Sequence, residues 1–200
     1  MAEPASTRTT TLLLEALKDD RNADAWAQFD ERYRPILAGF ARGLGLSETD
    51  AAEVAQESLA EFARCYRAGK YSRDKGRLSS WIIGIAHHTA SDLLKARGRG
   101  PDRGQSAMID ISDPARMSII WERQRKATIL ARAMAELRQT RTDEKTIRAF
   151  ELVGLRGVPA QAAARECGMT VQDVYTAKNR VTATLRRIVE RIEAEYAEDG

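Results

Sequence analysis

Only two cysteines, Cys65 and Cys167, occur in these 200 residues, and neither has a paired-ligand spacing. That excludes a disulfide framework and a cysteine-built zinc site, and makes buried structural thiols in a reducing compartment the expectation. The two histidines, His87 and His88, are adjacent; on a helix they diverge by about 100°, poor geometry for a shared metal. No stretch nears the roughly 20 apolar residues of a membrane-spanning helix. The start, MAEPASTRTTTLLLEALKDD, lacks a secretory signal's charged head and long apolar run, so the cytoplasm is the expected location. Aromatics make up only 6%. Prolines are few and fall near proposed boundaries (Pro4, Pro101, Pro114 and Pro159), with Pro35 the exception. Net charge is only +3, too small to argue a polyanionic partner by itself.

What is present is Ala, Leu, Ile and Val at helical intervals, with 43% hydrophobic and 30% charged residues, the balance of a folded protein. The predicted fold is all-α: two small helical domains joined by a flexible linker. Residues 1–11 are small and polar, and are expected to be disordered. The first domain covers 12–97. A short helix carries Leu12, Leu13, Leu14 and Leu17. Asn22 is placed to cap a second helix whose apolar face is Trp26, Phe29, Tyr33, Ile36, Leu37, Phe40 and Leu44. Pro35 predicts a kink in it, and Gly43 and Gly45 its end. Ser47 and Asp50 form a capping-box pattern opening a helix to about Ala68, with Val54, Leu59, Phe62 and Tyr66 inward. The charged loop KYSRDKGR leads to a helix from Leu78 to Arg97, with Leu78, Trp81, Ile82, Ile85, Ala86 and Leu93 on one side.

Residues 98–116 break helical periodicity and carry turn formers, which predicts the linker. The second domain covers 117–192. A helix to about Leu137 aligns Leu130, Ala133, Met134 and Leu137, and Thr142 is placed to cap another containing Ile147, Phe150 and Val153. Gly157-Val158-Pro159 introduces a short Ala-rich helix, Cys167-Gly168-Met169 a tight turn, and Thr170 with Asp173 a further capping box. A long helix follows, with Val171, Val174, Val181, Leu185, Ile188 and Ile192 inward. Short helix, glycine turn, capped longer helix is the helix-turn-helix pattern. The second helix of such a unit enters the major groove of duplex DNA. Its outward candidates are Gln172, Asp173, Tyr175, Thr176, Asn179 and Arg180, with Lys178, Arg186 and Arg187 placed for phosphates. Lys95, Arg97, Arg99 and Arg103 form a second basic cluster, whereas acids gather in the tail 193–200 as Glu193, Glu195, Glu198 and Asp199. That segregation suggests a tail able to restrain the basic surface in cis.

DAAEVAQESLAEF, followed after the charged loop by LSSWIIGIAHHTASDLLKARGR, resembles the first domain of the extracytoplasmic-function sigma factors of bacterial RNA polymerase. AFELVGLRGVPAQAAARECGMTVQDVYTAKNRVTATLRRI resembles that family's second, helix-turn-helix domain. The resemblance implies a DNA-binding initiation factor whose partners are core RNA polymerase and promoter DNA, with an anti-sigma protein as a further partner. It implies that Asp50, Glu53, Gln56 and Glu57 dock on polymerase. It implies that Tyr71, Arg73, Lys75, Trp81, His87, His88, Lys95 and Arg97 meet the melted, −10-type element. The upstream, −35-type element falls to Gln172, Asp173, Tyr175, Thr176, Lys178, Asn179 and Arg180. Where the family commonly carries Arg-Ile-Ala-Arg-Asn, this chain has Gly84-Ile85-Ala86-His87-His88.

The alternative is a helix-turn-helix repressor or activator whose first domain dimerises or senses, which predicts symmetric half-sites. An enzyme is the poorest fit, because no nucleophile-base arrangement, phosphate-cradling glycine loop or metal cluster emerges. No cofactor, small-molecule substrate or membrane insertion is expected.

Overall fold

The computed structural model describes residues 10–19, 21–97, 113–140 and 142–197; the side chain of Lys75 lies outside the described set. The expectations for residues 1–9 and 98–112, and for Glu198 and Asp199, therefore fall outside the described residues, as do Arg99 and Arg103. Among the described residues every regular element is helical: α1 (Thr10–Ala16), α2 (Ala23–Gly43), α3 (Glu48–Arg67), α4 (Leu78–Ala96), α5 (Pro114–Gln139), α6 (Glu144–Phe150), α7 (Ala160–Cys167) and α8 (Val171–Glu195). A 3₁₀ turn over Arg73–Lys75 and a π-helical turn over Glu151–Leu155 complete the set. None of these helices is long and apolar enough to cross a membrane.

Local chemistry explains the boundaries. The Asn22 side chain accepts from Ala25 N and starts α2, which continues unbroken through Pro35 to Gly43. The Ser47 hydroxyl accepts from Asp50 N and starts α3, but the reciprocal half of the expected box is absent, because the Asp50 carboxylate turns to Arg97. Asp113 caps α5, accepting from Ala115 N, and Pro114 takes the first helical position, where a missing N–H costs nothing. Asp143, rather than Thr142, caps α6 by accepting from Thr146 N. Thr170 and Asp173 form a complete capping box at α8, and Gly168 (φ 63°) supplies the left-handed residue that ends α7. The π-helical turn has no counterpart in the sequence pattern.

The chain divides into two compact units, one running through Thr128 and the other spanning Ile129–Tyr196, so the division falls inside α5. In the first unit, α2 and α3 pack on each other and α4 packs on α3. Phe29 stacks on Phe62 with centroids 4.3 Å apart, and Ile36, Leu37, Phe40, Val54, Leu78, Ile82 and Ala86 close the core. Trp121 belongs here as well: it is buried and meets Phe40 edge-on at 6.0 Å. Helical spacing had assigned 117–128 to the second domain. Periodicity reports that a helix has an apolar face, not which core covers it, and here Phe40 covers it. Gly43 makes the approach possible, since a Cβ there would lie 2.5 Å from Ile120 Cγ2.

In the second unit, Ala149, Leu152, Ala163, Ala164, Cys167, Val174 and Ala177 form one cluster that seats α7 on α8. Along α5, Ile129, Ala133, Met134 and Leu137 are buried, whereas Leu130, expected inward, is 39% exposed. Val171, also expected inward, is 38% exposed. Toward the end of α8, Glu195 is only 4% exposed and bonds to Arg132 at 2.9 Å. Burial lowers the Arg132 pKa, but hydrogen bonds to Tyr196 and Glu195 outweigh it and hold the guanidinium above its ordinary value. Glu195 is therefore a structural anchor and not part of a free acidic tail.

Candidate functional site

α3 presents its polar side as predicted by the spacing of its inner residues. Glu53, Gln56 and Glu57 are exposed, the state a carboxylate face needs to meet a basic partner. Asp50 departs from them. It is buried at 2% exposure and ion-paired to Arg97, so it does not belong to an exposed docking face. The same guanidinium reaches Glu53, with Nη2 to Oε2 at 2.5 Å. Arg97 thus fastens the end of α4 to the first turns of α3, with its guanidinium turned to these two carboxylates. A carboxylate desolvated this far is stable only with a cation beside it, which is why the two residues meet. The partners Arg97 and Glu53 are 44 positions apart, and no local pattern announces such a pair.

Between α3 and α4 runs a groove of about 860 Å³. Glu53, Glu57 and Glu61 edge it from α3; Trp81, Ile85, His88, Asp92 and Leu93 line it from α4. Ile85 and Leu93, expected inward, thus face the groove, while Ala90 and Leu94 occupy the core beside Ala86. Glu61 falls on the polar side of α3 by the spacing of its inner residues, and the sequence assigns it no role. The thiol of Cys65 donates to Glu61 Oε1 at 2.9 Å, and that bond together with Arg64 holds the carboxyl below its usual range. The same contact, aided by burial, pushes the Cys65 thiol up.

The loop before α4 is built around an aromatic stack. Tyr71 lies against Trp81 with centroids 4.9 Å apart and planes at 27°, and Trp81 meets Phe62 edge-on at 5.4 Å. Both Tyr71 and Trp81 are half-buried: Trp81 anchors the stack, and one face of Tyr71 is taken by it. Arg73 is exposed and its guanidinium bonds to Thr11 on α1, while Tyr66 Oη donates to the Leu14 carbonyl at 2.5 Å. The first bond ties α1 to the loop and the second ties it to α3. Beside them opens a cavity of about 470 Å³, walled by Tyr66, Arg67, Tyr71 and Arg73, by Leu14 of α1 and by Lys18 just after it. A concave site with an aromatic wall and cationic rim suits a stacked nucleobase beside its phosphate.

Farther along α4, His88 is exposed and His87 half-buried, with ring centroids 5.6 Å apart. Burial first, then the charges of His88 and Lys95, lower the His87 pKa, which favours the neutral imidazole at physiological pH. Lys95 is exposed and pairs with Asp92 at 3.3 Å. Among the described residues, no group of three or more His, Cys, Asp or Glu side chains is placed to hold a metal ion.

In the second unit, α8 turns Gln172, Tyr175, Thr176, Asn179 and Arg180 outward, all exposed. Lys178 is half-buried, because 100° per residue sets it near the inner line of Val174, Val181 and Leu185. Asp173 is exposed, but its carboxylate accepts from the Thr170 backbone and hydroxyl, and these bonds hold its pKa low. Its acceptor capacity serves the cap more than any base. Arg186 and Arg187 are exposed on the following turns.

Residues 29–100 match the sigma-70 region 2 family, a span that takes in most of α2 and all of α3, the aromatic loop and α4. The ECF RNA polymerase sigma factor RpoE of Cereibacter sphaeroides is 26% identical over 125 residues, covering 62% of this chain and 67% of that protein.

Proposed function

We propose that the chain is a sigma-70 family factor of the extracytoplasmic-function type, which recruits core RNA polymerase to a set of promoters and opens them. The observation that carries this reading is the coincidence of the region 2 match with one packed unit. That unit holds an exposed acidic helix face and, at the head of the next helix, a half-buried aromatic stack beside a cation-rimmed cavity.

Glu53, Gln56 and Glu57 form the polymerase-docking edge. The downstream, −10-type element opens against α4 and its preceding loop: a base leaving the duplex enters the cavity beside Tyr71, and Arg73 and Lys95 neutralise nearby phosphates. Unstacking a base costs a few kcal/mol, so capture must return that much through stacking and charge. His87 and His88 stand where the family commonly has an arginine and an asparagine; neutral imidazoles can stack and hydrogen-bond there but add little phosphate attraction. α7 and α8 act as the helix-turn-helix, with Gln172, Thr176, Asn179 and Arg180 toward the bases of the −35-type duplex. No bond is made or broken by this chain in such a process.

Run-off transcription with core polymerase on a pool of promoter fragments tests the proposal. Discrete start sites that depend on this protein, and that vanish with Gln56→Ala plus Glu57→Ala, are the expected result. Binding of particular duplexes by the protein alone, with no start site, would instead establish a polymerase-independent repressor or activator.

A further inference from the structure

The first turn of α8 exposes apolar surface, including Val171, which its pattern assigns to the interior. Val171 is 38% exposed and Tyr175, one turn on, 49% exposed. At 100° per residue the two lie about 40° apart on one flank of the helix. The core does not need them, since Val174, Ala177 and Val181 already fill the inner side. The Thr170–Asp173 capping box fixes this turn, so Val171 is held outward by the same bonds that start the helix.

Polar and cationic groups adjoin the pair on the outer face of the helix: Gln172 and Asn179 beside it, and Arg186 farther along the same flank, all exposed. An apolar spot inside a hydrogen-bonding and phosphate-neutralising surface fits a duplex better than a protein partner. Only one base edge in the major groove offers an apolar group, the 5-methyl of thymine. Resting on the reading of α8 as the duplex-recognition helix, we propose that Val171 and Tyr175 form a slot for a thymine methyl group. The upstream element then requires thymine where it faces the first turn of α8. Gln172 and Asn179, with hydrogen-bonding amides, read neighbouring positions.

The test uses the full chain with core polymerase and duplexes selected by that holoenzyme from randomised upstream sequence. Each thymine of the selected element is replaced in turn by deoxyuridine, which removes the methyl group alone. At one or two positions binding should weaken about fourfold, the worth of one buried methyl group. At those positions Val171→Ala and Tyr175→Ala should cut the thymine preference below twofold while keeping selectivity elsewhere in the element. No sensitive position, or sensitivity unchanged in both variants, overturns the proposal but leaves α8 as the recognition helix. Loss of transcription in Val171→Ala without thymine sensitivity assigns the pair to a protein contact and also overturns it. If no element is selected, and Gln172→Ala and Asn179→Ala leave open-complex formation untouched, the duplex-recognition reading itself falls, and the thymine slot with it.

Discussion

Replacing Arg97 by alanine should unfold the first unit more readily than removing any exposed ion pair of α3 or α4. Arg97 bonds both Asp50 and Glu53, but the two carboxylates differ in surroundings: the side chain of Asp50 is 2% exposed and that of Glu53 46%. Water can resolvate Glu53, so Glu53→Gln should cost at most about 1 kcal/mol. It reaches Asp50 hardly at all. Removing the cation from a buried pair costs about 3–5 kcal/mol, and the lower end applies because Arg97 is itself 34% exposed. Arg97→Ala is therefore expected to lose about 3 kcal/mol, a fall in Tm of roughly 10 °C for a unit of this size. The assay is urea unfolding followed by tryptophan fluorescence. Trp26, Trp81 and Trp121 are the chain's three tryptophans and all lie in the first unit, so the signal reports that unit alone. Asp50→Asn should cost less, and the double variant should recover about 1.5 kcal/mol or more relative to the sum of the singles. Additive effects, or an Arg97→Ala loss no larger than that of Glu53→Gln, would refute the clamp.

Two further outcomes are expected. Gly43→Ala should destabilise the first unit by about 1–3 kcal/mol in spite of alanine's better helix propensity, because the new Cβ meets Ile120 Cγ2 at 2.5 Å; Ile120→Ala in the same chain should restore most of the loss in the same urea assay. His87 binds its proton less readily folded than unfolded, so the unfolded state holds more protons as pH falls below about 6.5; stability should drop between pH 7.5 and 5.5, and His87→Gln should flatten that part of the profile measured by denaturant midpoint.

The helices were legible because their signals are local. Asn22, Ser47 and Thr170 each cap a helix by a bond to a backbone N–H three residues on, and a three-residue relation is visible in a linear string. The same holds for Gly168 at the end of α7 and for the acidic stretch Glu53, Gln56, Glu57, whose exposure follows from the apolar phase of Val54, Leu59 and Phe62. The glycine turn between α7 and α8 was equally readable.

Tertiary packing decided what those helices do with individual side chains. Asp50 has the sequence context of a surface carboxylate and is buried, because α4 ends over it and Arg97 compensates its charge. Trp121 sits in a helix expected to serve the second unit, yet its ring goes to Phe40. Val171 continues the inner phase of α8 on paper, but Val174, Ala177 and Val181 complete that core without it. In each case the amino acid and its period specify a tendency, apolar or charged, inward or outward. Which surface arrives to satisfy it is set by contacts between residues far apart in the chain, and those are fixed only when the helices pack.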